Sequence, residues 1–225
     1  MDIDGADFLA RGITAIGPEG LVFENVDLRV RPGELGVLAG PSGCGKTAML
    51  LALCGRLRLA AGHLEVSGHV LPAQARAVRQ LVLPARIRPA IDLDEQHTVR
   101  AAITERRLVS GVRRRAVDDA LARVGVDPYP SDLIWELHPA ERLLLSIALA
   151  SAAGPAAIVV DDVEAGLTPA GRTRVWTALR LLAQTGMTVV ASTTDPPSGD
   201  TVVIRLPRPE YDEPTDVLDW NGGGW

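Results

Sequence analysis

Residues Gly40-Pro41-Ser42-Gly43-Cys44-Gly45-Lys46-Thr47 constrain this chain more than any other segment. They satisfy G-x-x-x-x-G-K-[ST] at every fixed position. Glycines are needed because such a loop wraps an anion closely, with amide N–H groups turned inward and some φ values unsuited to side chains. The helix that follows directs its positive N-terminal end at the same anion. Lys46 is expected to reach the β and γ phosphates, and the Thr47 hydroxyl to ligate Mg²⁺. The flanks agree: Leu35–Ala39 is an uncharged apolar run, as in a strand buried on both faces, and Ala48–Leu59 reads as a helix.

A second carboxylate site supports the first. Ala157-Ile158-Val159-Val160-Asp161-Asp162 is an apolar strand ending in acids. An acid at the C-terminal end of a buried strand beside a phosphate loop holds Mg²⁺ through water, and Asp161 is the residue expected in that role.

Around these motifs the chain alternates strand and helix patterns. The opening segment reads as short strands with turns, including Leu21–Val30 before the turn Arg31–Glu34. Ala61–Leu71 reads as a hairpin turning at Ser67-Gly68, with His63 and His69 facing solvent. From about 92 to 153 the chain is rich in Arg and Ala with helical spacing; Val117, Leu121 and Val124 share one face. Arg106, Arg107, Arg113, Arg114 and Arg115 read as a solvated face, and Pro139 with Glu141 as a helix start. Strands follow at Ala156–Val160, Thr188–Ser192 and Thr201–Leu206, with a helix over Pro169–Gln184. This order predicts an α/β fold with a parallel sheet. Residues 207–225 carry Pro, Gly and acids and read as an extended tail.

Composition narrows the function. A net charge of -5 argues against nucleic acid as a partner, since that contact needs a basic field. Aromatics are 4%, so Leu, Val, Ile and Ala must build the core. Cys44 and Cys54 lack metal-ligand spacing and read as buried thiols in a reducing compartment. The acidic N-terminus does not read as a signal peptide. No apolar run reaches the roughly 18–20 residues that span a bilayer, so any membrane link is expected through a partner.

The order and spacing of these segments resemble the ATP-binding subunit of an ABC transporter. The resemblance runs from about Gly12 to Leu206: LVFENVDLRVRPGELGVLAG, GPSGCGKT, AGHLEVSGHVL, a helical insert, LHPAERLLLSIALASA, IVVDDVEAGLTP and TVVASTTD. It implies a P-loop NTPase core of ABC ATPase type over residues 1–206, with an N-terminal antiparallel β subdomain and a helical insert at about 92–153. It also implies ATP with Mg²⁺, and a second cassette facing the first head-to-tail in a homo- or heterodimer. A separately encoded transmembrane subunit would hold the chain, otherwise cytoplasmic, at the membrane.

Residue by residue, the positions that serve hydrolysis depart from the family's pattern. No aromatic stands near Ile16 to stack on adenine, and the glutamine expected near Ala85 is absent. The Leu-Ser-Gly-Gly-Gln signature appears as Leu137-His138-Pro139-Ala140-Glu141, where Pro139 lacks an N–H and Glu141 adds negative charge. Asp162 stands where a catalytic glutamate is expected, one methylene shorter and so a weak candidate base. Thr168 and Thr194 replace an aspartate and the switch histidine. The leading expectation is a transporter subunit that binds Mg-ATP with hydrolysis weak or lost. A non-catalytic nucleotide-dependent sensor or scaffold is the alternative. A small-molecule kinase fits less well, because no acceptor site or lid is legible.

Overall fold

The computed structural model describes residues 4–207. Its first two strands are longer than the sequence implied: β1 (Phe8–Gly17) and β2 (Gly20–Val30) pair antiparallel. In β1 the buried residues are Phe8 and Ala10, then Ile13 and Ala15. The alternation slips by one residue between Ala10 and Ile13, where the register with both neighbouring strands shifts. Such a bulge explains why no simple period-two pattern was visible there. Gly12 N donates to Asp27 Oδ1 at 2.7 Å inside this irregularity. With β4 (Ala61–Val66) and β5 (His69–Leu71), these strands form a four-stranded antiparallel sheet ordered β2-β1-β4-β5.

The second sheet is parallel, ordered β6-β7-β8-β3-β9. Its members are β3 (Leu35–Ala39), β6 (Val82–Arg86), β7 (Ala157–Val160), β8 (Thr188–Thr193) and β9 (Val202–Arg205). Every residue of β3, β7 and β8 is buried, as parallel strands covered on both faces require. Successive side chains supply two cores. Leu38, Val159 and Val190 pack with the antiparallel sheet and α1 (Lys46–Leu53). Val37, Ile158, Val160, Val189 and Ala191 pack against α4 (Arg114–Val124), α5 (Pro139–Ser151) and α6 (Pro169–Gln184). The fold is thus an α/β P-loop NTPase fold with an antiparallel β-subdomain, as expected.

Helix ends follow local chemistry. The helix after the phosphate loop stops at Leu53 rather than Leu59. Gly55 takes φ 66°, its N–H bonds the Ala52 carbonyl, and Arg56 N bonds the Leu51 carbonyl, a left-handed glycine stop. The helix α6 begins at Pro169 with Thr168 Oγ1 accepting from Gly171 N at 3.1 Å. The segment read as helical from about 92 to 153 contains α3 (Val99–Ser110), α4 and α5, and α2 (Ala75–Leu81) precedes it. Leu145 and Leu149 of α5 face a small cluster with Val99, Ile103 and Val117, while Leu143, Leu144 and Ile147 face the sheet. One apolar helix therefore joins the helical region to the sheet.

Arg113, Arg114 and Arg115 are exposed, as read, but Arg106 and Arg107 are half-buried, and His69 is likewise half-buried. Burial lowers the Arg106 pKa, and Glu105 partly opposes it. Both cysteines are free and buried. The expected tail lies almost wholly outside the described residues. Among these, no helix is long and apolar enough to cross a membrane.

Leu144→Ala is expected to remove about 2–5 kcal/mol of unfolding free energy, because the fully buried side chain leaves a cavity under the sheet. Arg114→Ala, which breaks only the exposed pair with Asp118, should change it by less than about 1 kcal/mol. Urea denaturation of the two variants checks both.

Candidate functional site

The phosphate loop leaves the buried end of β3, and its conformation depends on glycine. Gly45 sits at φ 89°, and a Cβ there would lie 2.8 Å from the Val22 carbonyl oxygen. At Gly43, also left-handed, a Cβ would meet nothing within 4 Å, so the loop's outer side is open. No side chain caps the N-terminus of α1, leaving its first amides available to an anion. The Lys46 ammonium donates to the carbonyls of Gly40 at 2.7 Å and Pro41 at 2.8 Å, folded back across the loop it would share with phosphate.

The Thr47 hydroxyl donates to Asp161 Oδ2 at 2.7 Å, across 114 residues of sequence. The other Asp161 oxygen accepts from Ser192 Oγ at 2.5 Å, and Ser192 Oγ in turn accepts from Asp162 N at 2.8 Å. Three elements, α1, β7 and β8, thus meet on one carboxylate. A hydroxyl and a carboxylate at this separation, beside an open amide loop, fit a Mg²⁺ ion that keeps waters and shares phosphate oxygens. No cluster of three or more acidic, His or Cys side chains that could hold a metal alone occurs among the described residues.

A cleft of about 660 Å³ runs over the loop. Ser42, Gly43, Gly45, Lys46 and Thr47 of the loop line it together with Asp161, Asp162 and Thr194. Gly40 and Pro41 contribute through their carbonyls to Lys46 rather than through the cleft wall. Cys44 is fully buried and turned into the core beneath the loop, so its thiol is poorly placed for the ready labelling that a loop cysteine invites. The turn Gly17–Gly20, Leu21 and Leu51 also line the cleft. Ile16 is 63% exposed, and among the described residues no aromatic ring lines the cleft.

Asp162 lines the cleft, is exposed, and takes φ 49°, a left-handed conformation uncommon for a non-glycine residue. Three bonds hold the Asp161-Asp162 backbone. The Asp162 N–H reaches Ser192, and the buried Arg86 Nη2 donates to the carbonyls of Asp161 at 2.9 Å and Asp162 at 2.5 Å. Burial lowers the Arg86 pKa and Arg88 adds repulsion, while Asp92, Asp162 and Asp161 oppose both. Thr194 is tied to Glu164, whose carboxylate accepts from the Thr194 hydroxyl at 2.5 Å and from Thr194 N and Thr193 Oγ1. Burial pushes the Glu164 carboxyl up, but these hydrogen bonds outweigh it and hold the pKa below its ordinary value.

Leu137–Glu141 stands apart from the cleft. His138 is the exposed N-cap of α5 without a side-chain cap bond, Pro139 is in its first turn, and Glu141 is the acidic residue there. Thr168 caps α6 and likewise does not line the cleft. The structure brings Lys46, Thr47, Asp161, Asp162 and Thr194 to one cleft, and it adds contacts of Arg86, Glu164 and Ser192 that sequence reasoning missed. Ser192 had a signal, a hydroxyl ending an apolar strand. Arg86 had none, because its partners lie 75 and 76 residues further along the chain.

These features coincide with a known group of proteins. The model of the ABC transporter family matches residues 23–165, most of the chain, and the chain belongs to that family in its ATP-binding part. The daunorubicin resistance ATP-binding protein DrrA3 of Streptomyces coeruleorubidus is 29% identical over 186 residues, covering 82% of this chain and 59% of that protein. The Nod factor export ATP-binding protein I of Burkholderia pseudomallei is 31% identical over 178 residues, covering 77% of this chain and 58% of that protein. The chain thus spans little more than half the length of these relatives. Among solved structures, the dimeric bacterial ABC transporter cassette MJ0796 superposes with a TM-score of 0.72 at 20% identity, covering 89% of this chain and 94% of that one. The Clostridium perfringens protein cbiO1, part of the cbiONQ transporter complex, superposes with a TM-score of 0.66 at 17% identity, covering 87% and 80%. Both likenesses concern the fold.

Because Glu164 is held below its ordinary value of 4.5, it stabilises the folded state fully above that value. This stabilisation is lost as pH falls through the depressed folded pKa. Unfolding free energy below about pH 4.5 should therefore fall more steeply for the wild type than for Glu164→Gln. Denaturation curves across the acid range measure the difference.

Proposed function

We propose that the chain is the ATP-binding subunit of an ABC-type transporter, binding Mg-ATP on Gly40–Thr47 and hydrolysing it weakly or not at all. The bond from Thr47 Oγ1 to Asp161 Oδ2 carries the binding half of this reading, because it places both expected Mg²⁺ groups at one point beside the loop. Thr47 would hold the ion directly and Asp161 through water. The ion when bound supplies charge neutralisation on the phosphates. Lys46 would leave the Gly40 and Pro41 carbonyls for phosphate oxygens, and the loop amides would bind the rest.

Weak hydrolysis is supported by what surrounds the end of the cleft. Among the described residues, Asp162 is the one carboxylate lining the cleft besides Asp161 and Glu19. A left-handed backbone and a short side chain limit how far Asp162 can reach toward an attacking water, and misplacement by about 1 Å costs on the order of 100-fold. Thr194 offers a hydroxyl already engaged by Glu164 and no imidazole. Outside the cleft lining, Pro139 removes an amide from the start of α5. Glu141 supplies that helix end with the negative charge a bound phosphate would otherwise provide.

Such a subunit would act at the cytoplasmic face of a membrane, paired with a second cassette and docked on a separately encoded transmembrane subunit. The relatives named for daunorubicin resistance and Nod factor export point the same way. Nucleotide binding would close the dimer. Opening would follow slow hydrolysis or exchange.

Lys46→Ala and Thr47→Ala are each expected to weaken Mg-ATP binding by about tenfold or more, the size of one lost charge-assisted contact, as read by calorimetry. Asp162→Asn should change steady-state phosphate release by less than about threefold, against the 10²–10⁴-fold that general-base catalysis typically contributes. A larger drop would make Asp162 a working base and overturn the weak-hydrolysis reading. Turnover that persists with a membrane partner and vanishes in Lys46→Ala would exclude a purely sensing role.

A further inference from the structure

Two cations line the cleft among the described residues, Lys46 and Arg88. Lys46 belongs to the phosphate loop. Arg88 has no part in the site as assigned so far, yet its position is built. Pro84, Ala85 and Arg86 at the end of β6 are buried, and Ile87 is fully buried. Ile87 and Ile91 then exchange backbone bonds, N to O at 2.8 Å and 2.7 Å, closing a tight loop over 88–90. Arg88 is the first residue of that loop, and Asp92 follows its closing pair. The loop is pinned on both sides, so Arg88 is presented from a fixed base to the cleft that Asp161, Asp162 and Thr194 also line.

In this structure Arg88 Nε donates to Asp92 Oδ2 at 2.6 Å. Asp92 is itself held, its Oδ1 accepting from Leu93 N at 2.9 Å. The pair is exposed on the arginine side and of the kind that contributes little on its own. A guanidinium is a planar fork suited to phosphate oxygens, and a terminal phosphate in a half-enclosed cleft is a stronger partner than an exposed carboxylate. A bound phosphate here also needs positive charge, since Asp161 and Asp162 line the same cleft and Thr194 supplies none.

We propose that Arg88 reads the terminal phosphate of the nucleotide, exchanging Asp92 for the γ-phosphate, so that the site distinguishes a triphosphate from a diphosphate. Asp92 is the competing acceptor that holds Arg88 when that phosphate is missing. This deepens the ATP-binding reading and rests on it. The discrimination comes from Arg88 and not from Lys46, because the ammonium also serves the β-phosphate that both nucleotides share.

The test is calorimetry of Mg-ATP and Mg-ADP on the full chain, on Arg88→Ala, on Arg88→Gln and on Asp92→Asn, with circular dichroism to confirm folding. Arg88→Ala and Arg88→Gln should each lose about tenfold in Mg-ATP affinity, one charge-assisted contact, while Mg-ADP affinity changes by less than twofold. Asp92→Asn should raise Mg-ATP affinity and do nothing in an Arg88→Ala background. Equal losses for ATP and ADP, or no loss for either, would overturn the role of Arg88 while leaving nucleotide binding intact. A wild-type chain that binds neither nucleotide would remove the ATP-binding reading and this inference together.

Discussion

The hydrogen bond between Thr47 and Asp161 is the contact on which the site depends. It joins the first turn of the helix after the phosphate loop to the end of the buried strand β7, and Ser192 ties the same carboxylate to β8. Each partner has little freedom. Thr47 is fixed by a helix whose Met49, Leu50 and Leu53 are fully buried, and Asp161 by a strand with no exposed residue. A carboxylate at such a position is costly unless it is hydrogen-bonded, and here both oxygens are. The parallel sheet, with apolar side chains on both faces, therefore acts as the rigid frame for a small polar junction at its C-terminal edge.

Around that junction the charges divide into two groups. On the loop side, open amides and Lys46 favour phosphate. On the strand side, Arg86 gathers the Asp161 and Asp162 carbonyls, and Glu164 gathers the hydroxyls and amide that follow β8. The second group spends its hydrogen bonds on the backbone of the site itself. It leaves the groups that would handle an attacking water short, strained or already engaged. The proposed pairing of nucleotide binding with weak turnover is compatible with one cleft, because different side chains would serve the two.

Much of this was legible in the sequence, for physical reasons. Leu35–Ala39 and Pro169–Gln184 were read with their observed bounds, because an uncharged run before a glycine loop and a Pro-started helix are local signals. The phosphate loop and Asp161 stood out in the sequence because the proposed chemistry calls for those residue types at those places. The bulge in β1 was not, since it shifts the alternation from Phe8 and Ala10 to Ile13 and Ala15. Nor was the early stop at Gly55, a glycine inside an apolar stretch. The contacts of Arg86 and Glu164 lie between segments distant in sequence and carry no periodic trace.

The most direct test of the central claim is thermal unfolding of the full chain with ATP, with and without Mg²⁺. A junction of Thr47 and Asp161 that holds the ion beside the loop predicts a rise in Tm with ATP concentration that is strong with Mg²⁺ and largely lost on chelation. A Tm indifferent to nucleotide, or raised equally with and without the ion, would contradict it.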